Sequence, residues 1–474
     1  MKDLTTGNIR QGIWSMAIPL ITASFVQMAY NMTDMIWLGH LGSECVAAVG
    51  VAGFFTWLCN SLSFIGKIGA EVTISQSLGS GHRQRARVYA NQAALLSAGI
   101  ALLYAFFIFF AAPGLAAFFR LEPHIADMSV EYLRLVAPGI FFTFNNNTFS
   151  GLYNGQGDSK TPLKIVATGL AFNIVLDPLL IYGPGPLPAL GTAGAAIATA
   201  FSQLVVYAIF VYKFYIRRPA LGRLRFLTLP RRTFLRRIAQ LGIPVSAQSG
   251  LFSMFSMALG SMASTWGHIG VAVQSIGAQI EAITWMTAAG FSTALASFVG
   301  QNYGARNYER IRQGYAYTMK LALAISGTAM VIFIFFGREL FSIFVNDSAT
   351  RDAGADYMLI LALSQIFVCI ESVTTGAFNG CGRTVPPALV GITLTGARLP
   401  MAYALMSIPA LGLNGIWLSI TLSSILKGII LGGWYHSFRQ RLESGIDRSV
   451  RKGLYRPGKI LGRMYAVASR LWQQ

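Results

Sequence analysis

An all-α integral membrane fold, with twelve transmembrane helices in two parallel-repeat six-helix lobes, is predicted for this 474-residue chain by three observations. The sequence is 54% hydrophobic and only 12% charged, whereas soluble domains carry roughly 25% charged residues. Apolar stretches of about 20 residues, enough to cross a ~30 Å hydrocarbon core as a helix, recur along the whole chain, so a cleaved signal peptide does not explain them. The second half of the chain also repeats the first at a shift that carries Pro19 onto Pro244 and, slightly offset, Gly39-His40-Leu41-Gly42 onto Gly267-His268-Ile269-Gly270.

The spans fall near 13–38, 46–72, 88–112, 126–152, 162–184 and 188–214, then near 239–265, 271–298, 315–337, 353–380, 385–408 and 411–435. They divide the chain into an N-lobe over 1–214, a basic linker over 215–238, a C-lobe over 239–436 and a basic tail over 437–474. The net charge of +19 is concentrated: Lys213 to Arg237 holds nine Lys or Arg and no acid, and the segment from His436 onward holds nine against Glu443 and Asp447. Basic loops mark the cytoplasmic side. His82 to Arg87, Arg306 to Arg312 and Arg383 fall on that side too, while Glu44, Glu122, Asp347 and Asp352 fall on the other. Both termini are therefore expected in the cytoplasm, with the chain in the inner or plasma membrane. Topology and contact with anionic lipid account for the basic segments. Nucleic acid is not an expected partner, because no folded soluble domain accompanies the charge.

Within the repeat, Ile18-Pro19 meets Ile243-Pro244, Gln76 meets Gln301, Gly79 meets Gly304, and Arg87 meets Arg312. Asn154-Gly155-x-Gly157 likewise meets Asn379-Gly380-x-Gly382. An offset of six spans keeps both halves in one orientation, which implies an axis along the membrane normal and alternating access to a cavity between them. Cys45, Cys59, Cys369 and Cys381 form no CxxC pair, so neither a disulfide nor a metal site is expected from them.

Five acids fall well inside spans: Asp34, Glu71, Asp177, Glu281 and Glu371. Acids at that depth are costly and usually face a bundle interior or a wet cavity. With the N-terminus inside, Asp34 lies five residues below the outer end of the first span and Asp177 six below that of the fifth. Both counts give a depth of ~8 to 9 Å at ~1.5 Å per residue. Asn173 shares a helical face with Asp177. Pro178 cannot donate to the carbonyl of Ile174, and Thr199 on the sixth span reaches a similar level. Hard oxygen ligands of this kind suit sodium, and two adjacent carboxylates in low dielectric suit proton exchange. Lys67 and Glu71, four residues apart, are expected to pair internally. Arg398 should pair with Glu281 or Glu371, and His40 and His268 should pack or cap. Repeat logic sets Ala402 opposite Asp177 and Arg398 opposite Asn173, so only the first half keeps the acid pair.

At Asn31-x-x-Asp34 with Gly39-x-Leu41-Gly42, at Asn154-Gly155-Gln156-Gly157-Asp158-Ser159-Lys160-Thr161-Pro162, and at Val299-Gly300-Gln301-Asn302-Tyr303-Gly304-Ala305, the sequence resembles the multidrug and toxic compound extrusion (MATE) family. The resemblance runs over nearly the whole chain. It implies two six-helix lobes around a V-shaped cavity, no enzymatic activity, no cofactor, and export of amphipathic or cationic small molecules against inward proton or sodium flow. It also implies a cation-coupling site at Asp34, Asn173, Asp177 and Thr199, sodium being the one metal ion expected there. Cavity-lining positions fall at Gln27, Tyr30, Tyr132 and Asn147, and a bend in the first helix at Pro19. Some relatives place a cation site in the C-lobe, where Glu281, Glu371 and Arg398 lie. The expected assembly is a monomer in the bilayer. A lipid-linked oligosaccharide flippase of the same broader superfamily is the alternative, though it should show a strongly cationic cavity, and intramembrane cations here are few: Lys67, Arg398 and Lys427. No HExxH, nucleophile elbow or phosphate loop favours a membrane enzyme.

Overall fold

The computed structural model describes residues 2–119, 122–183, 188–215, 221–222, 224–225 and 228–443, and the regular structure within them is helical. In chain order the helices are α1 (Ile9–Leu41), α2 (Ser43–Gly79), α3 (Arg83–Phe118), α4 (Pro123–Gly155), α5 (Lys160–Tyr182), α6 (Gly191–Tyr215) and α7 (Arg232–Ala263). A 3-10 turn at Ser264–Trp266 leads into α8 (Gly267–Gly304), followed by α9 (Tyr308–Ser342), α10 (Ser348–Gly380), α11 (Val385–Gly396), α12 (Arg398–Met406) and α13 (Asn414–Glu443). α11 and α12 are one span interrupted at Ala397, so thirteen helices among the described residues make twelve crossings.

Each expected span is one of these crossings, and most helices outrun their apolar windows. α1, with 33 residues, is well over the length of about 20 residues that the hydrocarbon core requires. α4, which carries Asn145, Asn146 and Asn147, is not among the helices apolar enough to cross on length and composition alone. Side-chain caps start several helices: Asn8 accepts from Arg10 N (2.9 Å), and Asp347 from Thr350 N (2.9 Å), satisfying first-turn donors. The described residues up to Gly432 form one compact unit, and 433–443, the end of α13, fall outside it. Residues 216–220, 223 and 226–227 of the expected linker, and 444–474 of the expected tail, lie outside the described residues. α7 begins at Arg232, inside the segment expected to be linker.

The repeat reappears in backbone conformation. Gly42 and Gly267, one repeat apart, both take positive φ (134° and 71°) between consecutive helices, as do Gly157 and Gly382 (76° and 71°). Packing is reciprocal as well. Gln76 Nε2 donates to the carbonyl of Gly380 at 2.8 Å, and Gln301 Nε2 to that of Gly155 at 3.5 Å, each pair being the other shifted by one repeat. A Cβ on Gly79 would stand 1.8 Å from the carbonyl oxygen of Gln301, and one on Gly304 2.1 Å from that of Gln76. α2 and α8 therefore cross backbone to backbone at the end of the molecule carrying the basic turns. The N-terminal residues reinforce this crossing: Leu4 is buried, its N–H donates to Gln301 Oε1 (2.9 Å), and its carbonyl accepts from Asn302 Nδ2 (3.1 Å).

Gly79→Ala is expected to force α2 and α8 apart, because the obstructing atom is backbone, and overpacking of this kind costs ~1 to 3 kcal/mol. A clear drop in melting temperature in detergent should result. Gly99→Ala, whose Cβ meets nothing within 4 Å, should leave it unchanged.

Candidate functional site

Away from that crossing, α1 packs against α5 and both contact α6. The close fit of α6 depends on Gly194, whose Cβ would stand 2.3 Å from the carbonyl oxygen of Leu180. Tyr182 donates its hydroxyl to the carbonyl of Trp37 at 2.8 Å, which sets the ends of α5 and α1 at one level. Just inside that level Asp34 and Asp177 are near enough for each carboxyl group to act on the other. Asn173, one turn before Asp177, donates its Nδ2 to Asp177 Oδ1 at 3.0 Å, and both residues are fully buried. Tyr30 and Tyr132 flank the two acids, and the Thr199 hydroxyl lies beside the Tyr30 hydroxyl.

Five oxygens of this cluster are buried without a hydrogen-bond partner in the protein: Tyr30 Oη, Asp34 Oδ1, Asn173 Oδ1, Asp177 Oδ2 and Thr199 Oγ1. One buried unsatisfied polar atom costs ~1 to 3 kcal/mol, so such a concentration requires something to occupy it. The groups acting on the two carboxyls are each other and Asn173, with no basic side chain among them. Only a cation or a proton can neutralise two acids so placed. Oxygens from carboxylates, an amide and a hydroxyl form a hard donor set that fits sodium, and the close carboxyl pair fits a shared proton equally well.

The second half of the chain treats its acids differently. Glu371 on α10 pairs with Lys427 on α13 at 3.0 Å. Arg398, at the start of α12, donates to Ser423 Oγ (2.6 Å) and Ser424 Oγ (3.0 Å) rather than directly to Glu371. Glu281 sits beside the Tyr357 hydroxyl, with the Arg398 charge nearby. Two acids thus share an environment with two bases. Arg398, expected to pair with Glu281 or Glu371, has both acids as charge neighbours but bonds the two serines directly; the ion pair of Glu371 is with Lys427, which spacing could not suggest because the two residues lie on separate helices far apart in the chain. Lys67 and Glu71 act on one another as opposite charges, as expected, but without a close ion pair: the Lys67 ammonium lies over the Phe64 ring (5.4 Å), and Glu71 Oε1 accepts from Ser297 Oγ on α8 (3.0 Å).

Of the expected site residues, Asp34, Asn173, Asp177, Thr199, Tyr30 and Tyr132 come together. Gln27 is exposed on α1 and donates to Asn31 Oδ1 (3.3 Å). Asn147 lies about four turns along α4 from Tyr132, and donates to Asn60 Oδ1 (3.0 Å) and Ser63 Oγ (2.9 Å) of α2. Pro19 is buried within a continuous α1 and denies a donor to the carbonyl of Ser15. His40 Nδ1 bonds the carbonyl of Ile36 at 2.7 Å, the capping arrangement expected for it. Ser202 was not anticipated. It lies one turn beyond Thr199 on α6, fully buried, with a hydroxyl also lacking a partner.

The MatE family model matches residues 19–179 and 244–429, the two halves of the repeat. Among curated relatives, a probable multidrug resistance protein NorM of Thermotoga maritima is 28% identical over 429 residues, covering 89% of this chain and 91% of that one. An FAD transporter of Shewanella oneidensis is 26% identical, covering 90% and 95%. Among solved structures, a MATE in complex with MaL6 superposes with a TM-score of 0.87 at 25% identity, covering 93% of this chain and 99% of that one. An outward-facing multidrug resistance MATE family transporter of the MOP superfamily gives a TM-score of 0.85 at 26% identity, covering 94% and 99%. With the family model matched across both halves, this multi-pass membrane chain belongs to the MatE family.

Proposed function

We propose that this chain is a secondary multidrug antiporter, in which a proton or sodium ion taken up at Asp34 and Asp177 drives export of amphipathic or cationic small molecules. The observation that carries this reading is the group of five unpartnered buried oxygens around two acids with no base among them. Glu71 Oε2 and Glu281 Oε1 are also buried without a partner, but Glu71, Glu281 and Glu371 each have a basic side chain nearby (Lys67, Arg398 and Lys427), so the α1–α5–α6 cluster, which has none, is where a mobile cation has most to gain.

Helices α1–α6 and α7–α13 are then the two lobes, with the basic turns and both termini in the cytoplasm. Close approaches between them run from Ser61 Oγ and Ser249 Oγ (3.0 Å) to the Gly79–Gln301 crossing, and from Trp14 on α1 to Tyr317 on α9 (2.9 Å). Asp34 lies more than five turns beyond Trp14 on the same helix, most of the way across the membrane. These close approaches toward the basic end support a state open to the outside, the side from which the coupling ion arrives. Neutralising the pair removes the repulsion between the two acids, and the missing bond at Ser15–Pro19 gives α1 a place to bend.

Two of the three intramembrane cations, Arg398 and Lys427, are hydrogen-bonded or paired within the second half, which leaves the flippase reading short of positive charge for a pyrophosphate head group. The deciding experiment is efflux of a fluorescent cation from proteoliposomes under an imposed proton gradient and then a sodium gradient. Acceleration by one of them is expected, and indifference to both would move the assignment to lipid-linked substrates.

A further inference from the structure

Where the α2–α3 turn meets the start of α7, an open pocket of about 560 Å³ is lined by His82, Arg83, Arg85 and Arg231, with Val88 and Phe234 as its apolar wall. No acid lines it. Antiport at the aspartates makes no use of this pocket, which lies at the opposite end of the helices from Asp34 and Asp177.

Its walls are held in place. The N–H of Arg231 donates to Gln92 Oε1 (2.7 Å) and Gln92 Nε2 to the carbonyl of Leu229 (3.0 Å), which ties the residues leading into α7 onto α3. Phe234 packs edge-on against Tyr89 at 4.7 Å, and the Arg85 guanidinium lies over the same Tyr89 ring at 5.7 Å. Three guanidiniums so placed repel one another, and an anion between them would relieve that repulsion. Their forked donors match phosphate oxygens.

Depth and polarity narrow the ligand. α3 has 36 residues, against the about 20 that cross the hydrocarbon core, so a centred helix extends roughly two turns beyond each face of that core. Arg83, Arg85 and Val88 occupy its first two turns, at head-group level. A basic site there, backed by half-buried Val88 and Phe234, suits a molecule whose phosphate enters the pocket while its acyl chains stay in the bilayer. We propose that this pocket binds the head group of an anionic glycerophospholipid and that the lipid bridges the α2–α3 turn to the start of α7.

The test compares the full-length wild type with R83Q/R85Q/R231Q, reconstituted in nanodiscs of phosphatidylcholine containing a minority of phosphatidylglycerol. Phosphatidylglycerol retained on the released protein is counted by native mass spectrometry. Each basic side chain near an anionic head group contributes about fivefold, the equivalent of ~1 kcal/mol, so retention should fall on the order of a hundredfold. R83K/R85K/R231K keeps the charge but not the forked donors, so its retention should fall between that of the wild type and R83Q/R85Q/R231Q, which separates loss of charge from misfolding. R232Q/R236Q, removing exposed arginines of α7 outside the pocket, should bind as the wild type does. Equal retention by wild type and R83Q/R85Q/R231Q, or equal loss from R232Q/R236Q, overturns the proposal. Displacement of the lipid by millimolar inorganic phosphate overturns the lipid assignment and makes this a soluble-anion site.

Discussion

Asp34→Asn is expected to reduce gradient-driven efflux at least tenfold while leaving the protein inserted and folded. The substitution keeps the size of the side chain and one of its oxygens but removes the charge proposed to attract the coupling ion. Asp177 then faces an amide instead of a second carboxyl, so the reason to bind a cation largely disappears. Asp177→Asn should act in the same direction, with additional disturbance because Asp177 Oδ1 accepts from Asn173 Nδ2. Melting temperature separates this role from a structural one. A carboxyl used only for architecture would lower the melting temperature when replaced. Removing one of two repelling acids from a buried cluster with unpartnered oxygens should leave it unchanged or raise it. Undiminished efflux by Asp34→Asn at normal expression would sink the coupling role.

Glu371→Gln should produce the largest loss of stability. The Glu371–Lys427 pair is formed at 3.0 Å with side chains only 14% and 7% exposed, so the variant leaves a buried ammonium without its counter-charge. Breaking one member of a buried pair costs ~3 to 5 kcal/mol, whereas replacing both with apolar groups is often neutral. The Glu371→Leu, Lys427→Met double variant should accordingly recover the thermal stability that Glu371→Gln loses, and both effects should appear in detergent melting curves. Efflux by the double variant distinguishes two roles for this pair: retained coupling means a structural pair, and lost coupling means that the second half contributes to ion binding.

How much of this was legible beforehand depends on the range over which each interaction acts. Helix crossings were legible because apolar length and the absence of charge are local, and each expected span coincides with a helix, although α4 is not apolar enough to qualify on length and composition alone. The Asp34–Asp177 meeting could be anticipated because depth along a membrane helix is counted from its end, and two helices running the same way place equal counts at equal levels. Asn173 belonged with Asp177 by helical spacing alone. Tyr30 and Tyr132 entered only through family likeness, and the structure sets both against the acids, while Asn147 is turned toward Asn60 and Ser63 of α2. Lys67 and Glu71 show what spacing leaves out: i,i+4 placement made them charge neighbours, but the hydroxyl that Glu71 accepts comes from Ser297 in the other half of the chain.

From sequence alone, then, came the membrane class, the twelve crossings, the duplicated frame and the loss of the acid pair from the second copy, since each depends on composition, periodicity or register. Only the tertiary structure decided which buried charges find partners. Lys427 meeting Glu371, serines capturing Arg398, and five oxygens near Asp34 and Asp177 meeting none are outcomes of how separate helices pack. Burial in a low-dielectric interior makes each outcome energetically decisive, and no pattern along the chain records it.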